Sequence, residues 1–326
     1  MKAIVYEKYG PPEFLQLKEV AKPSPKQDEV LVKVHAASVN YIDWQVLRGE
    51  SFFLRLTTGG LLKPKHKILG DDIAGRVEAV GENVKQFQPG DEVFGISDFD
   101  AFAEYVCVPE NALALKPASM TFEEAAAIPE AAITALQGLR DHGQIQPGQK
   151  VLIIGASGGV GTFAVQIAKS SGAKVTGVCS TSKLDMVRSI GADHVIDYTQ
   201  EDFTRSDQRY DLILATAGDR SIFDYKRALS PDGIYVCAGG SLAQYFQATL
   251  LGPLISMMGS KKLGSMLGNP NQKDYDVLIE LFETGKVVPV IDRRYPLSEV
   301  PEALRYYGEG HAQGKVVITV EPNNKT

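Results

Sequence analysis

The chain has 326 residues, 44% of them hydrophobic and 23% charged, enough for about two domains of ordinary soluble composition. Its formal net charge of -6 argues against the basic footprint of a nucleic-acid binder. Three scattered cysteines, Cys107, Cys179 and Cys237, form no CxxC pair. That argues against a thiolate zinc cluster or a disulfide framework, and a reducing, cytoplasmic setting is expected.

The opening "MKAIVYEKYG" reads as a strand with interleaved charges, neither signal nor transit peptide. Short strands follow: "DEVLVKVHAASV" alternates, while "DIAGRVEAVG" and "PGDEVFGI" are bounded by glycine or Pro-Gly, and "AEYVCVP" ends at Pro109. Over residues 120–139 the pattern turns helical and Ala-rich, which places the domain boundary there. Strands and helices then alternate: "KVLIIG", helix "GTFAVQIAKSSG", "AKVTGVCS", helix "SKLDMVRSIGA", "HVIDY", "YDLILATAG", helix "FDYKRALSPDG" and "GIYVCAGG". This spacing predicts a parallel sheet covered on both faces. Residues 233–260 carry no charge, a length that spans a bilayer, but Gly239-Gly240, Gln244, Gln247 and Gly252-Pro253 interrupt it. A buried strand followed by a pocket-lining or interface segment is the expectation, with no integral membrane segment. After Pro270 come a helix, "KDYDVLIELFETG", a short amphipathic helix over 297–307, and a last strand, "GKVVITV", which resembles those of the N-terminal region.

The stretch "VLIIGASGGVG" crowds four glycines into its last seven residues, between a strand and a helix, with a second strand within about thirty residues. Gly155 suits the tight turn, Gly158 removes the Cβ that would block a pyrophosphate, and Gly161 lets the helix pack against the strand. With Ser157, Gly159 and Val160 they form a phosphate turn at a helix N-terminus, where free N–H groups and the macrodipole favour an anion. No Lys-Ser/Thr pair follows, so the turn is not a P-loop. No acid occurs between Gly161 and Asp185, and the second strand ends "VCSTSK". An NAD site places a carboxylate near there for the ribose 2′-hydroxyl. Ser180 and Lys183 suit a 2′-phosphate instead, so NADPH is the expected cofactor.

Taken together, "GASGGVGTFAVQIAK", "RSIGADHVIDY", "VGENVKQFQPGDEVFG" and "GHAQGKVVI" resemble the medium-chain dehydrogenase/reductases, above all the zinc-independent quinone oxidoreductase (zeta-crystallin-like) branch. The resemblance implies an α/β fold: a Rossmann doubly wound parallel sheet plus a GroES-like β-rich catalytic domain. The divisions are 1–124 for the catalytic domain, 125–270 for the NADP-binding domain and 271–326 for a segment returning to the catalytic domain. Zinc-dependent members carry a Cys before an Asp, a Gly-His-Glu and a later Cys. Here Asn40, Asp71-Asp72 and Glu130 stand at those places, and the four-cysteine zinc loop is absent. Zinc prefers nitrogen and sulfur, so no metal is expected. The resemblance makes Asn40 and Tyr41, on the turn after "VHAASV", the candidate catalytic pair, with Asp43 holding that turn. It also places Thr134 near the nicotinamide, Tyr198 by the adenosine, and Gly218 and Gly239-Gly240 along the nicotinamide ribose.

Without a Lewis acid, a conjugated acceptor is easier to reduce than an alcohol is to oxidise, because hydride at a β-carbon leaves a delocalised enolate. An NADPH-dependent oxidoreductase acting on a small apolar quinone, enone or alkenal is therefore expected. Two other readings stay open: an NADPH-binding regulatory or interaction protein with incidental reductase activity, and an alcohol dehydrogenase. A homodimer is expected through "SKKLGSMLGN", read as the edge strand of the Rossmann sheet. Lys261 and Lys262 stand against it as charges that guard an edge.

Overall fold

The computed structural model, which describes residues 1–320, turns the N-terminal alternating stretches into seven strands. They are β1 (Lys2–Val5), β2 (Gln16–Glu19), β3 (Glu29–Val39), β4 (Asp72–Val80), β5 (Glu92–Ile96), β6 (Tyr105–Pro109) and β7 (Leu113–Leu115). The central region supplies β8 (Lys150–Ile154), β9 (Lys174–Cys179), β10 (His194–Asp197), β11 (Tyr210–Ala215), β12 (Leu229–Cys237) and β13 (Lys262–Ser265). Two more, β14 (Ile291–Pro296) and β15 (Lys315–Thr319), close the chain.

These strands fall into two compact units. The first comprises Met1–Glu130, Pro270–Asp276 and Ile291–Thr326. Its large sheet runs β14-β15-β3-β4-β5-β7, with β6 also on β3 and a separate β1-β2 pair. Val30, Val32, Ile73, Val93, Val316 and Ile318 are buried in one core, because each side of these strands supplies apolar residues. The last strand does belong to the N-terminal sheet, lying antiparallel to β3 with Val316 opposite Val39. β4 lies on the other side of β3, with Asp72 opposite Ser38.

The second unit, Ala131–Asn269 and Val277–Val290, holds a six-stranded sheet in the order β10-β9-β8-β11-β12-β13. Every neighbouring pair is parallel. This is the doubly wound order, reversing direction between β8 and β11, and its carboxyl ends share one edge. The strands read as continuous apolar runs because both faces are covered; Leu152, Ile213 and Ala215 have no exposure.

Several elements differ from expectation, each for a local reason. The run over 120–139 breaks into Phe122–Ala126 and Pro129–Gln137, since Pro129 lacks an N–H and suits a helix start. The helix expected through "SPDG" stops at Ala228, and those residues open β12, with Asp232 at φ 63°. Pro231 biases Ser230 away from the helical region. The turn expected at Asn40-Tyr41 is the start of a helix, Tyr41–Arg48, with Asn40 at its N-cap.

The uncharged stretch forms a helix, Leu242–Met257, lying along edge strand β13. A Cβ on Gly252 would sit 2.5 Å from the Leu263 carbonyl oxygen, and the Leu263 N–H donates to Ser256 Oγ. The same helix leaves Phe246, Leu250, Leu254 and Met257 exposed. Among the described residues no helix is long and apolar enough to cross a membrane.

Candidate active site

In the second unit the glycine turn follows β8. Gly155 has φ +80°, and a Cβ there would meet Ala217 Cβ and Thr216 Oγ1 at 2.8 Å, so conformation and space both require glycine. Gly161 faces the turn's own backbone: its Cβ would lie 2.0 Å from the Gly155 carbonyl oxygen. Gly158 is different. A Cβ there would meet only that carbonyl oxygen, at 3.5 Å, and otherwise open space. It caps the Gly159–Ser170 helix, whose first N–H groups have no intrahelical partner. Ser157 is buried beneath the turn, and Val160 lies in the helix's first turn. The arrangement fits a dinucleotide pyrophosphate, because the space a Gly158 side chain would fill, at the helix N-terminus, is open.

The other candidates follow the carboxyl ends of neighbouring strands. Ser180 and Lys183 come after β9, Tyr198 after β10, Gly218 after β11, and Gly239-Gly240 after β12. Ser180 precedes a single 3-10 turn, Thr181–Lys183, and Tyr198 is exposed. A Cβ on Gly239 would fall 2.5 Å from the Thr216 carbonyl oxygen, and Gly240 has φ +118°. Thr134 lies in the Pro129–Gln137 helix, and a Cβ added at Gly268 would stand 3.4 Å from its hydroxyl oxygen.

One acid escaped the linear count. Register pairs Asp197, ending β10, with Cys179, so a carboxylate stands beside the end of β9. Thr181 Oγ1 donates to it, and Thr199 donates from its N–H at 3.0 Å and its hydroxyl at 2.7 Å. The Thr181 hydroxyl, with those from Thr199, holds this carboxyl below its ordinary value.

In the first unit, sheet register assembles a buried polar cluster. Lys315 precedes Val316, the partner of Val39, which itself precedes Asn40. The Lys315 ammonium donates to Asn40 Oδ1 and, at 3.1 Å, to Asp72 Oδ2. Asp72 Oδ2 also accepts from Asn40 Nδ2 and Ser38 Oγ, each at 2.9 Å. Its Oδ1 accepts from the Glu130 N–H at 2.9 Å. Asp43 holds the turn as expected, accepting from Asn40 N–H at 2.8 Å and Gly70 N–H at 2.7 Å. Asp71 turns elsewhere, accepting from Phe99 N–H at 2.8 Å. Burial pushes the Asp43 carboxyl up to about 7 and the Glu130 carboxyl up to about 8; it also drives Asp71 well above the carboxylate range.

Both ends of the Asn40 amide are thus held internally, by Lys315 and Asp72. The Asn40 side chain also accepts from the Asp43 N–H in a capping box, so one amide N–H remains for a ligand. Tyr41 is half exposed; its hydroxyl accepts from Gln45 Nε2 at 2.8 Å and keeps its own proton to donate. A zinc ion does not suit this donor set, because an ammonium already occupies Asn40 Oδ1 and Asp72. Among the described residues no three His, Cys, Asp or Glu side chains are placed to hold a metal. The sequence reading missed Ser38, Asp72 and Lys315 as a group. The available signal was a lysine opening an otherwise apolar strand.

Comparison with known proteins agrees with both units. Residues 26–118 match the family model described as alcohol dehydrogenase GroES-like domain, and residues 190–318 match the one described as zinc-binding dehydrogenase. The chain is 35% identical to the mitochondrial NAD(P)H oxidoreductase RTN4IP1 of Mus musculus, over 98% of this chain and 89% of that protein. It is 34% identical to the chloroplastic NADPH-dependent alkenal/one oxidoreductase of Arabidopsis thaliana, over 98% of this chain and 79% of that one. The solved quinone oxidoreductase of Coxiella burnetii superposes with a TM-score of 0.88 at 30% identity, covering 98% of this chain and 99% of that one.

Proposed function

We propose that this chain, which belongs to the zinc-independent quinone oxidoreductase branch of the medium-chain dehydrogenase/reductase superfamily, transfers hydride from NADPH to a quinone or α,β-unsaturated carbonyl. The observation that carries this reading is the Lys315 ammonium seated on Asn40 and Asp72. A cluster built around an ammonium suits an acceptor whose negative charge spreads as an enolate and needs only hydrogen bonds and a proton. A simple alcohol would need a Lewis acid to lose its proton. In this reading the first unit is the catalytic domain and the second the NADP-binding domain. The expected return of residues 271–326 is corrected in part, since Val277–Val290 goes with the second unit, and the boundary expected after residue 124 falls after Glu130.

NADPH, when bound, supplies the hydride. Gly155, Ser157, Gly158, Gly159, Val160 and Gly161 would hold its pyrophosphate. Ser180, Lys183 and Tyr198 would take the adenosine side, and Thr134, Gly218, Gly239 and Gly240 the nicotinamide side. Asp197 does not spoil a 2′-phosphate site, because its oxygens are turned to Thr181 and Thr199. The Tyr41 hydroxyl donates a hydrogen bond to the acceptor oxygen, stabilising the enolate, and Asn40 is held beside it by Lys315.

The same reading includes a cytoplasmic homodimer. The edge strand β13 is supported by the exposed apolar face of the Leu242–Met257 helix beside it. Lys261 is no guard of that edge: its ammonium folds back onto the Lys226 and Leu229 carbonyl oxygens at 2.8 and 2.7 Å. Sedimentation at micromolar concentration should give twice the 35.4 kDa chain mass; a clean monomer rejects the dimer. The reductase reading itself is tested by an acceptor panel under NADPH. Quinones, enones and alkenals should consume NADPH while simple ketones and alcohols do not. Turnover confined to the simple substrates would overturn it.

A further inference from the structure

Asp43, Asp71, Asp72 and Lys315 are buried together in the first unit with the half-buried Glu130 beside them, four carboxyl groups to one ammonium. One cation cannot neutralise four anions away from water, so the region must retain protons at neutral pH. Hydrogen bonds decide which group keeps them. Asp72 is met by Lys315, Ser38, Asn40 and the Glu130 N–H. Asp43 is met by two backbone N–H groups and Asp71 by one. Glu130 has none of this support: its Oε2 is enclosed without a hydrogen-bond partner. No hydrogen bond to Oε2 stabilises its anion, which only the Lys315 charge favours, and the neutral acid is left with an uncommitted O–H.

We propose that Glu130 is the proton donor of this enzyme, the acid that completes reduction of a conjugated carbonyl acceptor. The proposal rests on the reductase reading above. Hydride from NADPH forms the C–H bond at the acceptor's β-carbon, and the double-bond electron pair becomes an enolate. The Glu130 O–H bond then breaks, its proton forms the C–H bond at the α-carbon, and the pair stays on Glu130 as carboxylate. A solvent proton recharges it, so each turnover consumes one proton.

The surroundings fix the direction of the pH response. Burial, then the Asp72 charge, with Asp43 adding to them, raise the Glu130 carboxyl to about 8, while Lys315 opposes them. Asp71 and the Tyr307 hydroxyl also sense Glu130, each pushed up in part by its charge. A donor of this kind is loaded below pH 8 or so and empty above it, so turnover falls on the alkaline side.

Two measurements on the 326-residue chain test the proposal. The first is difference infrared titration of the free protein, compared with Glu130→Gln and Glu130→Asp. Among the protonated carboxyl bands expected at neutral pH, one component should disappear with a midpoint of about 8, be lost in Glu130→Gln and shift in Glu130→Asp. A Glu130 band titrating at the ordinary value of 4.5 overturns the proposal whatever the variants do. The second is turnover of an enone with NADPH. Glu130→Gln should lose about 10²–10⁴-fold in kcat with its alkaline limb abolished, keep its NADPH affinity by calorimetry, and be partly rescued by Glu130→Asp. Unchanged kcat and an unchanged alkaline limb remove Glu130 from the reaction and leave the reductase reading standing. Failure of the wild type to oxidise NADPH with any quinone or enone removes both.

Discussion

The glycine turn of the second unit and the charge cluster of the first are built in opposite ways. The turn is contiguous, residues 155–161, and built of backbone: at Gly158 the space a side chain would have filled is left open. The cluster draws Ser38, Asn40, Asp43, Asp72, Glu130 and Lys315 from across the chain, and works through side chains that sheet register brings together. A backbone site is written in adjacent letters. A register-built site is written in pairings that no local pattern contains.

The cluster should be the more fragile of the two. Lys315→Met removes the cluster's ammonium and leaves the buried Asp72 without its cation. Breaking a buried pair from one side costs about 3–5 kcal/mol, and denaturant unfolding should register that loss. A loss below about 1 kcal/mol would mean that Ser38, Asn40 and the Glu130 N–H hold Asp72 unaided.

Next in size is an effect on binding. Lys183→Glu should weaken NADPH by about 1.5–3 kcal/mol, the worth of one charged hydrogen bond, and spare NADH. Wild type should favour NADPH at least about tenfold, or 1.4 kcal/mol, in calorimetric titration. Equal affinities for the two cofactors would remove the assignment of the 2′-phosphate to Ser180 and Lys183.

Within the turn, two alanine substitutions should separate packing from ligand space. Gly161→Ala drives a Cβ to 2.0 Å from a backbone oxygen that cannot yield, and should cost stability by about 1–3 kcal/mol. Gly158→Ala meets nothing closer than 3.5 Å and should leave unfolding within about 0.5 kcal/mol of wild type. It should still lower NADPH affinity at least about tenfold. If Gly158→Ala bound NADPH normally, the open direction there would not be the pyrophosphate's path.

The same contrast explains what could be read from the sequence. Apolar runs alternating with amphipathic helices gave away the parallel sheet, and the position of each candidate after a strand followed from it. Asp43 was legible because its contact with Asn40 spans three residues. Asp197 was not, since it reaches the end of β9 only through strand pairing. Lys261 read as an exposed edge guard because sequence cannot show an ammonium folding onto carbonyls 32 and 35 residues away. The helix starting at Tyr41 was missed because Asn40 reads equally as a turn residue and as an N-cap. Lys315 carries no local sign of its role, for its partners lie 243 and 275 residues away.

The central claim is that Lys315, Asn40 and Asp72 serve a reduction by NADPH without a metal. The direct test is NADPH-dependent reduction of an enone or quinone before and after exhaustive chelation, with metal analysis of the same samples. Full activity in metal-free protein is the predicted result. Stoichiometric zinc that leaves together with the activity, and restores it on return, would contradict the account.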